Sequence, residues 1–298
     1  MTESGVIIKG LGGLYTVVCG GRLYSCPARG IFRKDNFKPM IGDKVELSEL
    51  REEDDGGLTG VIQTILPRTN SLVRPAVANV DQIIVVMAAK SPAPDLLLVD
   101  RLILSAERKK VPVVIVINKT DQDPELAEEW KAQYENAVSG VLLTKAGLGE
   151  GREQLLPLME GKISVMAGQS GAGKSSLLNL LLGETAMETG DLSRKTDRGR
   201  HTTRRNEMFM LEANTFIIDS PGFSLFETEN IEPLELQELY PEIRDHRGEC
   251  YFQDCSHTGE PNCFVTDLIA DGTFHPERYK RYVEIYKELK ERERRKYK

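Results

Sequence analysis

The chain has 298 residues, of which 40% are hydrophobic and 29% charged, and a formal net charge of −7. This length predicts two or three domains with the composition of an ordinary globular protein. The acidic balance excludes binding of nucleic acid through overall charge, so any RNA contact has to come from local basic patches. We find no secretory signal and no apolar run long enough for a membrane, and we therefore expect a cytoplasmic protein with no membrane partner.

The segment 1–68 has the pattern of a small all-β domain, with short candidate strands separated by glycine-containing turns. Gly20-Gly21 predicts a hairpin between two of these strands. Such a series of strands favours an OB-type β-barrel, a fold that often binds nucleic acid, so we assign RNA binding to this domain as a hypothesis. Cys19 and Cys26 lie inside predicted strands, where we expect core residues rather than ligands.

After a polar, proline-bounded segment at 67–75, candidate strands and helices alternate, which predicts an α/β domain over residues 69–228. Within it, Gly168–Ser175 matches the P-loop pattern G-x-x-x-x-G-K-[ST], between a short apolar strand and a helix. The loop and the helix N-terminus can surround phosphate oxygens, and a chance glycine-rich turn explains this context poorly. The predicted nucleotide-binding residues of this segment are Gly168, Gln169, Ser170, Gly171, Ala172, Gly173, Lys174, Ser175 and Ser176.

A second motif, N-K-x-D, follows an apolar strand and consists of Asn118, Lys119, Thr120 and Asp121. The Asp121 carboxylate can accept hydrogen bonds from N1–H and the exocyclic amine of guanine, a pair of donors that adenine lacks. A solvated polar turn is the alternative, but the P-loop in the same domain favours GTP. A similar tetrapeptide at 194–197 follows no apolar strand and is rejected. The loop Thr144, Lys145 and Ala146 matches loosely the last GTPase motif, whose N–H groups contact the guanine oxygen.

Residues expected to bind the γ-phosphate and Mg²⁺ lie at the end of the P-loop and in the segments after it. Lys174 would contact the β- and γ-phosphates, and the Ser175 hydroxyl would bind Mg²⁺. In the polar segment 185–205, either Thr202 or Thr203 fits the Mg²⁺-binding switch threonine. The sequence leaves that choice open, and the segment could equally be an ordinary surface loop.

The D-x-x-G motif is Asp219-Ser220-Pro221-Gly222, in which Asp219 would hold Mg²⁺ through water and the Gly222 N–H would contact the γ-phosphate. Phe223 follows, at the position where GTPases place a water-orienting Gln. We therefore expect slow intrinsic hydrolysis, with His201 as the local candidate for a catalytic group beside Lys174. An ordinary loop histidine is the alternative reading of His201.

The motifs occur in the order N-K-x-D, P-loop and D-x-x-G, whereas an ordinary GTPase begins with the P-loop. This order predicts a circular permutation, which folded domains tolerate because their termini often lie close together at the surface. The chain that leaves the D-x-x-G motif then runs directly into a C-terminal domain. Nucleotide state could be transmitted along it.

The last segment, 229–298, contains a closed Cys₃His set formed by Cys250, Cys255, His257 and Cys263. Four such ligands suit one structural Zn²⁺ and leave no open position for catalysis. We therefore predict an α-helical zinc-binding domain. It ends in a basic helix from Pro276 whose apolar stripe consists of Tyr279, Val283, Tyr286 and Leu289. The basic face is either simply solvated or contacts RNA phosphates.

A β-barrel, a permuted GTPase domain and a Cys₃His domain together resemble the ribosome small-subunit-dependent GTPase A family of bacteria, over nearly the whole chain. The resemblance is carried by Gly168–Ser175, the segment 199–203, the segment 219–223 and the Cys250–Cys263 cluster. It implies GTP hydrolysis stimulated by the small ribosomal subunit, in late maturation of that subunit near its decoding region. The implied partners are the small subunit, its rRNA and GTP or GDP, and we expect a monomer.

Three alternative functions differ in what they require of the sequence. A GTP-regulated RNA-binding clamp with little hydrolysis of its own is compatible with Phe223. A permuted GTPase of large-subunit assembly would share the motif order, but the barrel and the zinc cluster argue against it. A zinc-dependent RNA-modifying enzyme would need an open metal site, and the Cys₃His set is saturated.

Overall fold

The computed structural model describes residues 2–28, 38–73, 75–183, 207–219, 231–246 and 248–296. Within these ranges, no helix combines the length and the apolar character that a membrane span requires. The chain divides into two compact units. One consists of Met1–Ile83, Arg152–Ala167 and Lys174–Leu225, and the other of Ile84–Gly151, Gly168–Gly173 and Phe226–Lys298.

The N-terminal strands form a closed barrel in the order β1-β2-β3-β5-β4. They are β1 (Glu3–Leu11), β2 (Leu14–Cys19), β3 (Arg22–Pro27), β4 (Lys44–Glu52) and β5 (Leu58–Ile65). Strands β3 and β5 run parallel and the other neighbours antiparallel, which confirms the predicted OB-type barrel. The predicted hairpin is also present, because Gly20 and Gly21 have φ of 57° and 75° and join the paired residues Cys19 and Arg22.

The barrel core is built from the inward side chains of alternating strand residues, among them Ile7, Val45 and Leu47, all fully buried. Cys19 and Cys26 are 3% and 0% exposed, which confirms that they are core residues. Burial raises the pKa of the Cys26 thiol to about 11, so it stays protonated at neutral pH.

The segment after the barrel is hydrogen-bonded to it. A short hairpin, β6 (Ser71–Leu72) and β7 (Val77–Ala78), follows β5. The fully buried Asp43 carboxylate accepts two hydrogen bonds from the Arg68 guanidinium, at 2.6 and 2.9 Å. The Asn79 side chain donates to the Gly42 carbonyl at 2.9 Å. The stretch that the sequence marks as a connector is therefore fixed against the barrel.

A second sheet has six strands in the order β10-β9-β8-β11-β13-β12. They are β8 (Gln82–Ala88), β9 (Val113–Asn118), β10 (Gly140–Leu143), β11 (Ile163–Gly168), β12 (Glu207–Glu212) and β13 (Thr215–Asp219). The pairs β9–β10 and β11–β13 are parallel, and β12 is an antiparallel edge strand. Every residue of β8, β9 and β11 is buried, as expected for parallel strands covered on both faces.

Helices follow most of these strands. They are α1 (Leu96–Arg108), α2 (Pro124–Tyr134), α3 (Arg152–Met159) and α4 (Lys174–Leu182). Asp95 caps α1 by accepting from the Leu98 N–H, and Asp123 caps α2 by accepting from the Leu126 N–H. The N-K-x-D motif begins at the last residue of β9, the P-loop at the last residue of β11 and the D-x-x-G motif at the last residue of β13. The chain order of these motifs is therefore the permuted one.

The C-terminal segment is helical, and its core includes Leu104 of α1. Its helices are the 3-10 helix Pro233–Leu239, α5 (Pro241–Arg244), α6 (Val265–Ala270) and α7 (Pro276–Lys296). The buried residues of α7 are Arg278, Tyr282, Ile285 and Leu289. The predicted stripe of Tyr279, Val283, Tyr286 and Leu289 is confirmed, because Leu289 is buried and the other three are partly buried against the same core. The apolar pattern gave no reason to choose a charged residue such as Arg278 for the buried face.

Candidate nucleotide and metal sites

Asn118, at the end of β9, connects all three motifs predicted around the base and the phosphates. Its amide nitrogen donates to the Ala172 carbonyl of the P-loop at 3.1 Å. Its amide oxygen accepts from the Thr144 hydroxyl at 3.2 Å and from the Ala146 N–H at 3.0 Å. The side chain is 1% exposed, so its orientation is set by these protein contacts rather than by water.

Lys119 makes a second connection to the P-loop. Its backbone is left-handed, with φ of 60°, and its ammonium group donates to the Gly171 carbonyl at 2.7 Å and to the Ser91 carbonyl at 2.9 Å. Two adjacent residues of N-K-x-D thus hold consecutive carbonyls of the loop. They restrict its conformation without using the N–H groups that can bind phosphate.

Thr120 and Asp121 form the start of a short 3-10 helix, Thr120–Gln122. Thr120 is buried and donates from its hydroxyl to the Thr144 carbonyl at 3.3 Å, whereas Asp121 is exposed. The carboxylate of Asp121 is therefore accessible to a ligand while its neighbour fixes the loop. Lys145, in the adjoining loop, forms an ion pair with Glu150 at 2.9 Å.

The P-loop glycines occupy positions where a side chain would not fit. Gly168 has φ of 145°, and a Cβ there would lie 2.1 Å from the Val86 carbonyl oxygen. Gly173 has φ of 100°, and its Cβ would lie 2.1 Å from the amide nitrogen of Asn118. Both glycines are therefore required by the close approach of neighbouring groups. Gln169 accepts a hydrogen bond from the Asp95 N–H at 3.3 Å, and Ser170 is exposed.

Lys174, Ser175 and Ser176 form the first turn of α4, and both serines are exposed. Burial lowers the pKa of Lys174, and the Asp219 carboxylate opposes that effect. A phosphate anion would oppose it further, because it favours the charged ammonium. The Ser175 hydroxyl and the Asp219 carboxylate are oxygen donors of the kind Mg²⁺ prefers. His201, Thr202, Thr203 and Gly222 lie outside the described residues.

The four predicted zinc ligands come together in the C-terminal segment, with their donor atoms within 4.8 Å of one another. His257 Nδ1 lies 3.5 Å from the Cys250 sulfur and 3.4 Å from the Cys263 sulfur, and those two sulfurs are 3.9 Å apart. Tetrahedral Zn²⁺ with ordinary bond lengths gives edges of about 3.5 Å for nitrogen–sulfur and about 3.8 Å for sulfur–sulfur. The residues therefore fit a structural zinc ion.

The surroundings of the cluster also suit a metal. Burial lowers the pKa of His257, which favours the neutral ring that a metal requires. His257 Nε2 donates to the Gln237 side-chain oxygen at 2.8 Å, which leaves Nδ1 with its lone pair toward the sulfurs. His246 is not part of the cluster, because its ring stacks on Phe264.

Two residues that the sequence did not single out take part in these sites. Gln237 orients a predicted metal ligand, and Gly151 packs directly on Thr144. Gln237 carried no signal, because its contact joins residues far apart in the chain. Gly151 follows the loosely matching Thr144–Ala146 motif in the chain, and a glycine shortly after that motif was the only indication of a close contact with it.

Two family models and curated relatives together match nearly the whole chain. The family model described as RsgA GTPase matches residues 65–229, and the model of the RsgA N-terminal domain matches residues 4–58. A protein of Agathobacter rectalis, "Small ribosomal subunit biogenesis GTPase RsgA", is 40% identical over 303 residues, covering 98% of this chain and 99% of the relative.

Two solved structures resemble this one over most of its length. The crystal structure of YjeQ from Thermotoga maritima has a TM-score of 0.78 and 34% identity, covering 97% of this chain and 99% of that one. The structure of YloQ, described as a circularly permuted GTPase, has a TM-score of 0.76 and 32% identity, covering 98% and 96%. The chain therefore belongs to the RsgA GTPase family, a family of GTP-hydrolysing enzymes.

Proposed function

We propose that this GTPase acts in late maturation of the small ribosomal subunit, where it binds ribosomal RNA and hydrolyses GTP slowly until the subunit stimulates it. The observation that carries the proposal is the end-to-end match with a protein named for small ribosomal subunit biogenesis. The permuted motif order, the barrel and the Cys₃His cluster support it, because all three lie within the part of the chain that matches this relative.

The site residues have the following proposed roles. Asp121 reads guanine beside the loop Thr144–Ala146, whose Ala146 N–H donates to Asn118, and the loop Gly168–Gly173 with Lys174 binds the phosphates. Bound Mg²⁺ would neutralise phosphate charge, held by the Ser175 hydroxyl and, through water, by Asp219. Support comes from the hydrogen bonds that connect Asn118 and Lys119 to the P-loop carbonyls. The roles of Thr202 or Thr203, of the Gly222 N–H and of His201 as a catalytic group rest on the sequence alone.

We also propose that different segments of the chain have different roles. Residues 1–68 and the zinc-binding segment 229–298 contact ribosomal RNA, while residues 69–228 bind GTP or GDP. A zinc ion held by the Cys₃His cluster would be structural, because four protein ligands leave no open position. The protein works as a monomer in the cytoplasm.

Single-turnover hydrolysis of GTP, with and without purified small subunits, tests the proposal. We expect small subunits to raise the rate at least tenfold, and an equal concentration of large subunits to leave it unchanged. A rate that is insensitive to small subunits would overturn the proposed role, and stimulation by large subunits would favour large-subunit assembly.

A second candidate is a GTP-regulated RNA clamp with little hydrolysis, favoured by Phe223 in place of a water-orienting Gln. The same assay separates the two candidates when it is combined with sedimentation of the protein on small subunits. A clamp predicts binding that depends on the nucleotide, with no acceleration of hydrolysis.

A further inference from the structure

The loop predicted to contact the guanine oxygen is closed by a bridge between Lys145 and Glu150. Each donates its N–H to the carbonyl of the other at 3.2 Å, and their side chains form the ion pair at 2.9 Å. The 3-10 turn Ala146–Leu148 lies inside this bridge. The residue that follows the bridge, Gly151, is therefore brought back to the start of the loop.

Gly151 touches Thr144 so closely that no side chain fits between them. Its φ is 124°, and a Cβ would lie 2.7 Å from the Thr144 methyl carbon and 2.9 Å from the Thr144 Cβ. Contacts under about 3.0 Å force something to move. Thr144 is 2% exposed, and its N–H is bonded to the Ile117 carbonyl at 2.9 Å. Rotation about χ1 of Thr144 would move the methyl carbon but not the Cβ, so the Thr144 side chain and the backbone at Gly151 both have to shift.

The rotamer of Thr144 sets the orientation of Asn118. The Thr144 hydroxyl donates to the Asn118 amide oxygen at 3.2 Å, so the amide nitrogen is directed to the Ala172 carbonyl. The amide nitrogen fills the space beside Gly173, because a Cβ there would lie 2.1 Å from it. A displaced hydroxyl would therefore disturb the contact between the base loop and the P-loop.

We propose that Gly151 is a positioning residue for the guanine nucleotide. Because Gly151 has no side chain, Thr144 can keep the rotamer that orients Asn118. This inference rests on the proposed assignment of Asn118–Asp121 to the base site. Gly151 itself contacts neither base nor phosphate in this assignment, and it acts only through Thr144.

The test compares Gly151→Ala with Gly149→Ala. Both glycines have positive φ, of 124° and 83°, so both alanines introduce backbone strain, which is greater at Gly151, but a Cβ at Gly149 meets nothing within 4 Å. Equilibrium binding of fluorescent GDP and ADP is measured for each variant, with zinc content as a check on folding. We expect Gly151→Ala to lose about five- to tenfold in GDP affinity, the range for one hydrogen bond, and to lower the GDP-to-ADP ratio. Gly149→Ala should change neither quantity by more than about twofold.

Two substitutions at Thr144 keep the inference testable even if Gly151→Ala does not fold. Thr144→Val keeps the shape but removes the hydroxyl, and should reproduce the loss of GDP-to-ADP selectivity. Thr144→Ser keeps the hydroxyl and removes the nearer of the two crowded carbons, so it should restore part of the GDP affinity when combined with Gly151→Ala.

Equal behaviour of the two glycine variants, or wild-type selectivity in Thr144→Val, would overturn the positioning role. A wild-type protein without preference for GDP over ADP would instead overturn the proposed base site. The two failures are therefore distinguishable in one set of titrations.

Discussion

The guanidinium of Arg278, on α7, is completely buried against the carboxylate of Asp100, on α1. Arg278 also donates to Glu242 at 2.7 Å, and Arg281 donates to the second oxygen of Asp100. Burial opposes the charge, but the carboxylates of Glu242 and Asp100 outweigh it and raise the pKa of Arg278. Two cations thus face two anions in the interior. These contacts join α1, which precedes the N-K-x-D strand, to α7, the last helix of the chain.

The first prediction concerns this buried cluster. Asp100→Asn leaves two guanidinium groups without enough negative charge, and we expect it to lower the free energy of unfolding by about 3–5 kcal/mol. Urea unfolding of the zinc-loaded protein, followed by circular dichroism, measures the change. Glu277→Gln is the control on the same helix, because the pair of Glu277 with Lys280 is exposed and should leave the unfolding midpoint unchanged. A similar loss in both variants would contradict the importance of burial.

The second prediction is that Gln237→Ala weakens zinc binding by about 10- to 100-fold, the usual effect of removing a group that orients a metal-bound histidine. The Gln237 side chain accepts from His257 Nε2 at 2.8 Å, and without it the ring is free to rotate. Competition with a coloured zinc chelator gives the affinity. Leu234→Ala changes an exposed residue of the same 3-10 helix, and its affinity should match that of the wild-type protein.

The motifs whose function depends on neighbours in sequence could be predicted, and contacts between distant residues could not. The pattern Gly168–Ser175 predicts the loop together with the strand before it and the helix after it, and the segment Cys250–Cys263 contains all four predicted zinc ligands. The partnership of Arg278 with Asp100 spans 178 residues, and nothing near Arg278 in sequence announces a buried acceptor. The apolar stripe of α7 was predicted correctly, but the burial of Arg278 beside it was not.

The third prediction concerns the junction between the barrel and the β6–β7 hairpin. Gly42 has φ of 87°, and a Cβ there would lie 2.1 Å from the Ala78 carbonyl oxygen. Gly56 has φ of 81° with nothing within 4 Å, so Gly56→Ala should cost only the strain of about 1–2 kcal/mol. Gly42→Ala should cost more, because strand β7 has to move. Thermal unfolding with hydrogen exchange of β4 and β7 tests this, and equal losses would contradict it.

The fourth prediction is that Asp121→Asn exchanges guanine for xanthine selectivity. The exposed carboxylate of Asp121 would lose its acceptor pair for guanine, and we expect GDP affinity to fall by about 10- to 100-fold, since hydrogen bonds to charged groups contribute about 1.5–3 kcal/mol. Xanthine carries an oxygen where guanine has its amine, so the asparagine amide can donate to it and affinity for xanthosine diphosphate should rise. Asp123→Asn is the matched control, because Asp123 caps α2 and pairs with Lys90, and asparagine caps helices equally well. Unchanged GDP preference in Asp121→Asn would remove Asp121 from the base site, whereas a loss confined to Asp121→Asn assigns the selectivity to that carboxylate.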